Sequence, residues 1–190
     1  MRTAPRQKRT PRPLDAARLE ELALAYVARF AASAAKLESY LKRKVRERGW
    51  EGEGEPALQE ILSRFVGAGY VDDAAYARMK AGSLRRRGYG ERRVAQALGA
   101  AGIGEDLRED VRAGEGEQRR AAVALARRRR FGPFGSPSDP EQIGQLREKQ
   151  LAAMLRAGHR LDIARAVIHA ADSETVEGWA AEPGPDEDEE

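Results

Sequence analysis

AQALGAAG, residues 95–102, closes an amphipathic helix on a glycine, and the same ending comes twice more, as KRKVRERG over residues 42–49 and LAAMLRAG over residues 151–158. The closing glycines Gly49, Gly102 and Gly158 stand 53 and 56 residues apart. An apolar stripe, a glycine that lets the chain turn out of the helix, and then a new helix mark helical units that bury their apolar faces by stacking on neighbours. The reading is an all-α chain of three tandem three-helix repeats, over residues 15–70, 71–114 and 115–172, in an elongated, curved body. No window alternates with the period of two that a half-buried strand requires.

In the first unit Asp15 caps a helix whose apolar residues Leu19, Leu22, Ala23, Tyr26, Val27 and Phe30 share one face. A second helix from about Ser33 carries Leu37, Tyr40, Leu41 and Val45 and stops at Gly49, and a third follows Pro56 with Leu58, Ile61, Leu62, Phe65 and Val66. The second unit opens on the capping residues Asp72 and Asp73 and puts Tyr76, Met79, Ser83 and Leu84 on one face. It breaks at Gly88 and Gly90, which read as backbone requirements of a tight turn. Val94, Ala97, Leu98 and Ala101 then lead to Gly102, and a short helix spans residues 105–111. The third unit runs over residues 117–130, breaks at FGPFGSPSDP (131–140), where glycine, proline and serine demand a loop, and ends in helices at residues 141–157 and 161–171.

Composition sets the outer limits. Hydrophobic residues make up 41% of the chain but aromatics only 6%, which suits small Ala/Leu-rich helical cores. There is no cysteine, so neither a disulfide framework nor a thiolate metal site is available. The apolar stretches fall short of the about 20 residues a membrane helix needs, and the basic N-terminus has no apolar core of a secretion signal. A cytoplasmic monomer without a membrane partner is expected. The net charge of +3 conceals an asymmetry: residues 1–13 carry Arg2, Arg6, Lys8, Arg9 and Arg12 without an acid, and the far end carries Asp186, Glu187, Asp188, Glu189 and Glu190 without a base. Residues 1–14 and 173–190 are therefore expected as a basic and an acidic disordered arm.

The chemistry-bearing residues do not assemble a reaction. His159 and His169 are ten apart, with no cysteine or carboxylate at metal-ligand spacing. Gly102, Ile103 and Gly104 begin like a dinucleotide fingerprint, but Leu107 stands where the third glycine belongs and no strand precedes it. A phosphate-binding GxxxxGK loop is missing, and Ser33, Ser39, Ser63 and Ser83 lack an adjacent base. Asp106, Glu109 and Asp110 come nearest to an acid cluster for magnesium and read more simply as the solvated face of a short helix. No cofactor and no catalysis are expected.

What remains is positive charge, in three dense clusters: Lys42, Arg43, Lys44, Arg46 and Arg48; Arg85, Arg86, Arg87, Arg92 and Arg93; and Arg127, Arg128, Arg129 and Arg130. Taken singly, each is accounted for by cations offsetting the negative pole of a helix. At related places in stacked units they are expected to align as a strip suited to phosphates or to an acidic protein groove, and the excess of arginine over lysine favours bidentate contacts. Trp50, Tyr70, Tyr89 and Phe131 lie beside these helix ends, where stacking on bases competes with the plainer role of closing a helix C-terminus.

Two stretches carry a resemblance. ESYLKRKVRERGW (38–50) and GYVDDAAYARMKAGSLRRRGYGERRVAQALGAAGI (69–103) resemble the signature of the RecX regulatory proteins, firmly over residues 36–103 and more weakly over residues 16–171. The order is distinctive: an L-x-x-[KR] helix, a GYVDD turn, an A-x-x-x-[AS]-x-x-x-[KR]-x-x-G run, and a helix stopping at Gly102 and Ile103. The resemblance implies tandem three-helix units and a protein that binds the RecA filament on single-stranded DNA and suppresses its ATPase, strand-exchange and coprotease activities, with single- and double-stranded DNA as further partners. By position, Asp72, Asp73, Tyr76, Arg87, Gly88 and Gly90 match the family's central motif. RRRRFGPFGSPSD (127–139), GHRLDIAR (158–165) and the acidic end depart from it. Arg43, Lys44, Arg46, Arg85, Arg86, Arg87, Arg92, Arg93, Arg127, Arg128, Arg129 and Arg130 are the candidate contacts; Gly49, Asp72, Asp73, Tyr76, Gly88, Gly90 and Gly102 are expected to be structural. The rival reading is a nonspecific DNA-binding protein that needs no recombinase.

Overall fold

Asp15, Ser33 and Asp172 each turn a side-chain oxygen toward the backbone N–H three residues on, accepting from Arg18 (2.8 Å), Lys36 (3.3 Å) and Thr175 (2.8 Å), and each opens a helix. The computed structural model describes residues 12–136 and 140–184. Among them are ten α-helices: α1 (Ala16–Val27), α2 (Ala34–Arg48), α3 (Leu58–Gly67), α4 (Asp73–Arg86), α5 (Glu91–Gly99), α6 (Glu105–Asp110), α7 (Glu115–Arg129), α8 (Pro140–Arg156), α9 (Leu161–His169) and α10 (Ser173–Ala181). A 3-10 turn, Gly132–Phe134, separates α7 from α8. The fold is all-α, with a single isolated bridge between Leu14 and Trp50 among the described residues. By contacts the chain divides into two compact units, Met1–Asp73 and Ala74–Glu190.

In the first unit α1 packs on α2 and α2 on α3, around Leu19, Ala23, Leu37, Leu41, Ile61, Leu62 and Phe65. Spacings of three and four put these residues on single helix faces. Leu14 is fully buried in the same cluster, its N–H donating to Gly49 O (3.0 Å) and its carbonyl accepting from Glu51 N (2.9 Å). The basic arm expected over residues 1–14 therefore stops short of Leu14; residues 1–11 lie outside the described residues. Phe30 departs from its expected stripe and is 56% exposed, because α1 ends at Val27 and Phe30 follows in the turn, with its ring centroid 5.4 Å from that of Tyr26. Similarly, α3 begins at Leu58, leaving Pro56 ahead of the helix.

The second unit holds two apolar clusters. Tyr76, Ala77, Ala81 and Leu84 of α4 meet Val94 and Leu98 of α5, with Ala101 and Ile103. Met79 lies off that row and is 46% exposed, the row running instead through the two alanines. The larger cluster joins Ala122, Leu125 and Ala126 of α7 to Met154, Ile163, Val167 and Ile168 of α8 and α9 and to Val176 and Ala180 of α10. The last helix corrects the expectation of disorder from residue 173. Val176, Trp179 and Ala180 recur at the spacing of one face, that face packs on α7, and the Arg119 guanidinium lies 4.9 Å from the centre of the Trp179 ring. Residues 185–190, the rest of the expected acidic arm, lie outside the described residues.

Candidate interaction surface

The three basic clusters differ in how their charge is used. On α2, Lys42 pairs with Glu38 (2.8 Å), and Arg43 and Lys44 with Glu47 (3.6 and 2.7 Å). The Lys44 hydrogen bond holds the Glu47 carboxyl below its ordinary pKa; burial opposes it, and the charges of Lys44, Arg43 and Arg46 add to the lowering. Arg48 donates to Arg12 O (3.0 Å), while Arg46 is exposed and hydrogen-bonded to nothing among the described residues. Arg43 and Lys44 also approach the Tyr40 ring, at 5.6 and 5.8 Å from its centroid. Much of this cluster is answered on its own helix.

The α4–α5 cluster splits. Arg85 is 8% exposed: its Nε and Nη2 donate to the two carboxylate oxygens of Glu91 (2.6 and 2.9 Å), Nη2 also donates to Val111 O (2.5 Å), and Nη1 lies 3.6 Å from Glu117. Burial works against its charge, but the Glu91 bonds, with Glu91 and Glu117 as counter-charges, outweigh that and hold its pKa above the ordinary arginine value. Arg85 thus leaves the set of surface contacts: every arm of its guanidinium is spent tying α4 to α5 and to the ends of α6 and α7. Arg86 and Arg87 point outward; Arg87 lies over the Tyr89 ring at 5.4 Å, and Arg86 has no hydrogen-bonding partner among the described residues. Arg92 donates to Leu155 O (2.6 Å) at the end of α8, and Arg93 to Gln96 Oε1 (2.7 Å).

At the end of α7, Arg127 pairs with Glu177 of α10 and stands 5.7 Å over the Phe134 ring. Arg128, Arg129 and Arg130 are exposed, and their side chains make no hydrogen bond or ion pair among the described residues. Arg130 adopts φ 55° and ψ 49°, making it the one non-glycine residue with positive φ among the described residues. After α4 the turn is made by Gly88, with φ 77°, and after α2, α5 and α8 Gly49, Gly102 and Gly158 take φ of 83°, 75° and 97°.

Four of the residues expected to be structural, Gly88, Gly90, Asp73 and Tyr76, make specific contacts within the fold. Gly88 has φ 77°, and a Cβ on it would sit 2.7 Å from Leu125 N. Gly90 has ordinary dihedrals (φ −81°), but a Cβ there would come within 2.4 Å of the carbonyl of Gly158 and the N of His159, where the α4–α5 turn crosses the α8–α9 turn backbone to backbone. Gly90 N donates to Ala157 O (3.0 Å) across the same crossing. His159 is 5% exposed and bonds Gly88 O through Nε2 (3.0 Å). Burial pushes its pKa down, opposed by that bond and by the charge of Glu91. Asp73 accepts from Ala34 N (2.8 Å), so the helix it caps is α2. Tyr76 lies inside its own cluster at 6% exposure. Of the aromatics, Trp50 donates Nε1–H to Gly54 O (2.9 Å) and packs on the first core, and Tyr89 and Phe131 are half-buried, whereas Tyr70 is 58% exposed.

Asp106, Glu109 and Asp110 are exposed on α6, and no group of three or more His, Cys, Asp or Glu among the described residues could hold a metal ion. None of the described helices is long and apolar enough to cross a membrane.

Over 171 residues, 86% of this chain, the sequence is 34% identical to the regulatory protein RecX of Myxococcus xanthus (strain DK1622), covering 90% of that protein. The chain belongs to the RecX family. The family model described as the second three-helix domain of RecX matches residues 72–111, the stretch holding Asp73, Tyr76, Arg85, Gly88 and Gly90. The regulatory protein RecX of Deinococcus radiodurans is 35% identical over 64% of this chain and 58% of its own length. The crystal structure of RecX from Lactobacillus salivarius superposes with a TM-score of 0.60 at 18% identity, over 80% of this chain and 93% of that one, and so shares the fold. Sequence density alone missed Arg147 and Lys149, which stand apart in α8 and reach the α7 cluster only through the fold. It also missed Glu91, Arg85's partner, although the six-residue separation across a turn was there to be read.

Proposed function

We propose that this chain regulates RecA: it binds the RecA filament on single-stranded DNA and suppresses ATP hydrolysis, strand exchange and coprotease activity. It works by occupancy, as a cytoplasmic monomer built of tandem three-helix units, hindering the subunit motions that filament activity needs, with no reaction of its own. The observation that carries this reading is the division of labour inside the family-matched residues 72–111. Arg85 is consumed within the fold, while its neighbours Arg86 and Arg87 project to solvent at the end of α4 with no acid among the described residues holding them. Exposed arginines of this kind suit carboxylates or phosphates on a partner surface, and reversing them leaves the core untouched.

Co-sedimentation with preformed RecA filaments tests it. The chain is expected to pellet with filaments at concentrations where it leaves naked DNA in the supernatant, and the double reversal Arg86→Glu, Arg87→Glu is expected to weaken filament binding by about tenfold or more. Pelleting that is equal with and without recombinase would overturn the reading.

A further inference from the structure

At the far end of the second unit, the 3-10 turn Gly132–Phe134 and α8 face each other across an open groove of about 700 Å³. Arg129, Arg130, Arg147 and Lys149 line it, and no acidic side chain does among the described residues. Its apolar surface comes from Phe131, Pro133, Ile143 and Leu146. None of the four cations has a hydrogen bond or ion pair among the described residues, unlike Lys42, Arg43, Lys44 or Arg85, which have acids within reach. Crowding like charges round one groove raises the free energy of the empty state, which a bound polyanion relieves.

The groove is built, not merely charged. Gly132 N donates to the buried Gln150 Oε1 (2.9 Å), and a Cβ on Gly132 would meet Val167 O at 2.9 Å, so the turn is pressed onto α9 and held to α8. Arg130 holds a left-handed conformation that glycine adopts without cost and that Gly88 occupies after α4. An arginine there gives up stability and gains a guanidinium at the rim.

We propose that this groove binds a short run of single-stranded nucleic acid, with phosphates on Arg129, Arg130, Arg147 and Lys149 and unstacked bases against Phe131, Pro133 and Leu146. An acidic peptide would use the cations but leave the apolar surface wet; a duplex keeps its bases stacked and offers only its backbone. A single strand satisfies both halves of the groove. The inference rests on the filament reading only in that a filament presents such a strand. Because it is tested on DNA alone, it can fail while that reading stands.

The experiment is fluorescence anisotropy of a labelled oligothymidylate with the full chain over a series of salt concentrations, with a duplex of equal length and poly-glutamate as competitors. The triple variant Arg129→Ala, Arg147→Ala, Lys149→Ala is expected to lose about tenfold or more in affinity at low salt, and its log–log salt slope is expected to fall in magnitude by about 2, at roughly 0.7 per phosphate contact. Arg130→Gly is expected to weaken binding while leaving thermal stability equal or higher, a combination that disruption of the fold does not give. Unchanged affinity and slope in both variants, or displacement by poly-glutamate or duplex as readily as by unlabelled single strand, would overturn the proposal.

Discussion

At the residue scale the chain separates arginines that build from arginines that present. Arg85→Ala strips Glu91 of its bidentate partner in a site where both side chains are largely shielded, and removing one member of a buried pair typically costs about 3 kcal/mol or more. Urea unfolding is expected to show such a loss, and Arg85→Ala with Glu91→Ala together is expected to cost less than the sum of the single changes. Gly90→Ala isolates close approach from backbone freedom, because its dihedrals suit any residue: forcing a Cβ against the Gly158 carbonyl is expected to cost about 3 kcal/mol or more by the same measurement. His159 makes stability depend on pH. Burial holds its folded pKa below the ordinary value of about 6.5, so the unfolded chain takes up that proton first. Its contribution is complete above about pH 6.5 and declines as the pH falls from there toward the folded pKa, by at most about 1.4 kcal/mol per pH unit. The urea midpoint is expected to drop between pH 7.5 and pH 5.5, and to drop less in His159→Gln.

At the element scale the helices were legible wherever a cap, a stripe and a stop coincided. Asp15, Ser33 and Gly49 bracket α1 and α2 where the spacing puts them, and Gly102 and Gly158 end their helices in the left-handed conformation expected of such stops. α10 escaped because its surroundings dominate its pattern: acids and prolines after Glu182 colour the segment, although Asp172 at the cap and Val176, Trp179 and Ala180 on one face were present all along. Truncating the chain tests the contribution of α10. Ending it before Ser173 uncovers the α7 face that Val176 and Ala180 bury and is expected to cost about 2 kcal/mol or more, read as a lower urea midpoint. The face of α4 was misjudged for a related reason. Met79 outranks alanine in hydropathy, yet the row that meets α5 runs through Ala77 and Ala81, where small side chains allow close packing.

At the scale of the whole molecule, charge density located the basic clusters but could not tell their uses apart, since a pairing such as Arg85 with Glu91 depends on a turn closing between them. Nor could it gather Arg147 and Lys149 with Arg129 and Arg130, which needs α8 folded back beside the end of α7. Gly90 was read as a turn former and acts as a contact surface, a distinction invisible until the second turn lies across the first. Within the family motif, Gly88, Gly90 and Tyr76 make contacts that fix the backbone around the end of α4, from which Arg86 and Arg87 project. The central claim, that this surface restrains a recombinase, is tested most directly by the single-stranded-DNA-dependent ATPase rate of the matching RecA titrated with this chain at low and moderate salt. Inhibition is expected at well below one chain per recombinase subunit, weakened by about tenfold or more when Arg86 and Arg87 are both changed to Glu. An ATPase rate that stays constant through the titration, with the chain folded and in excess, would contradict it.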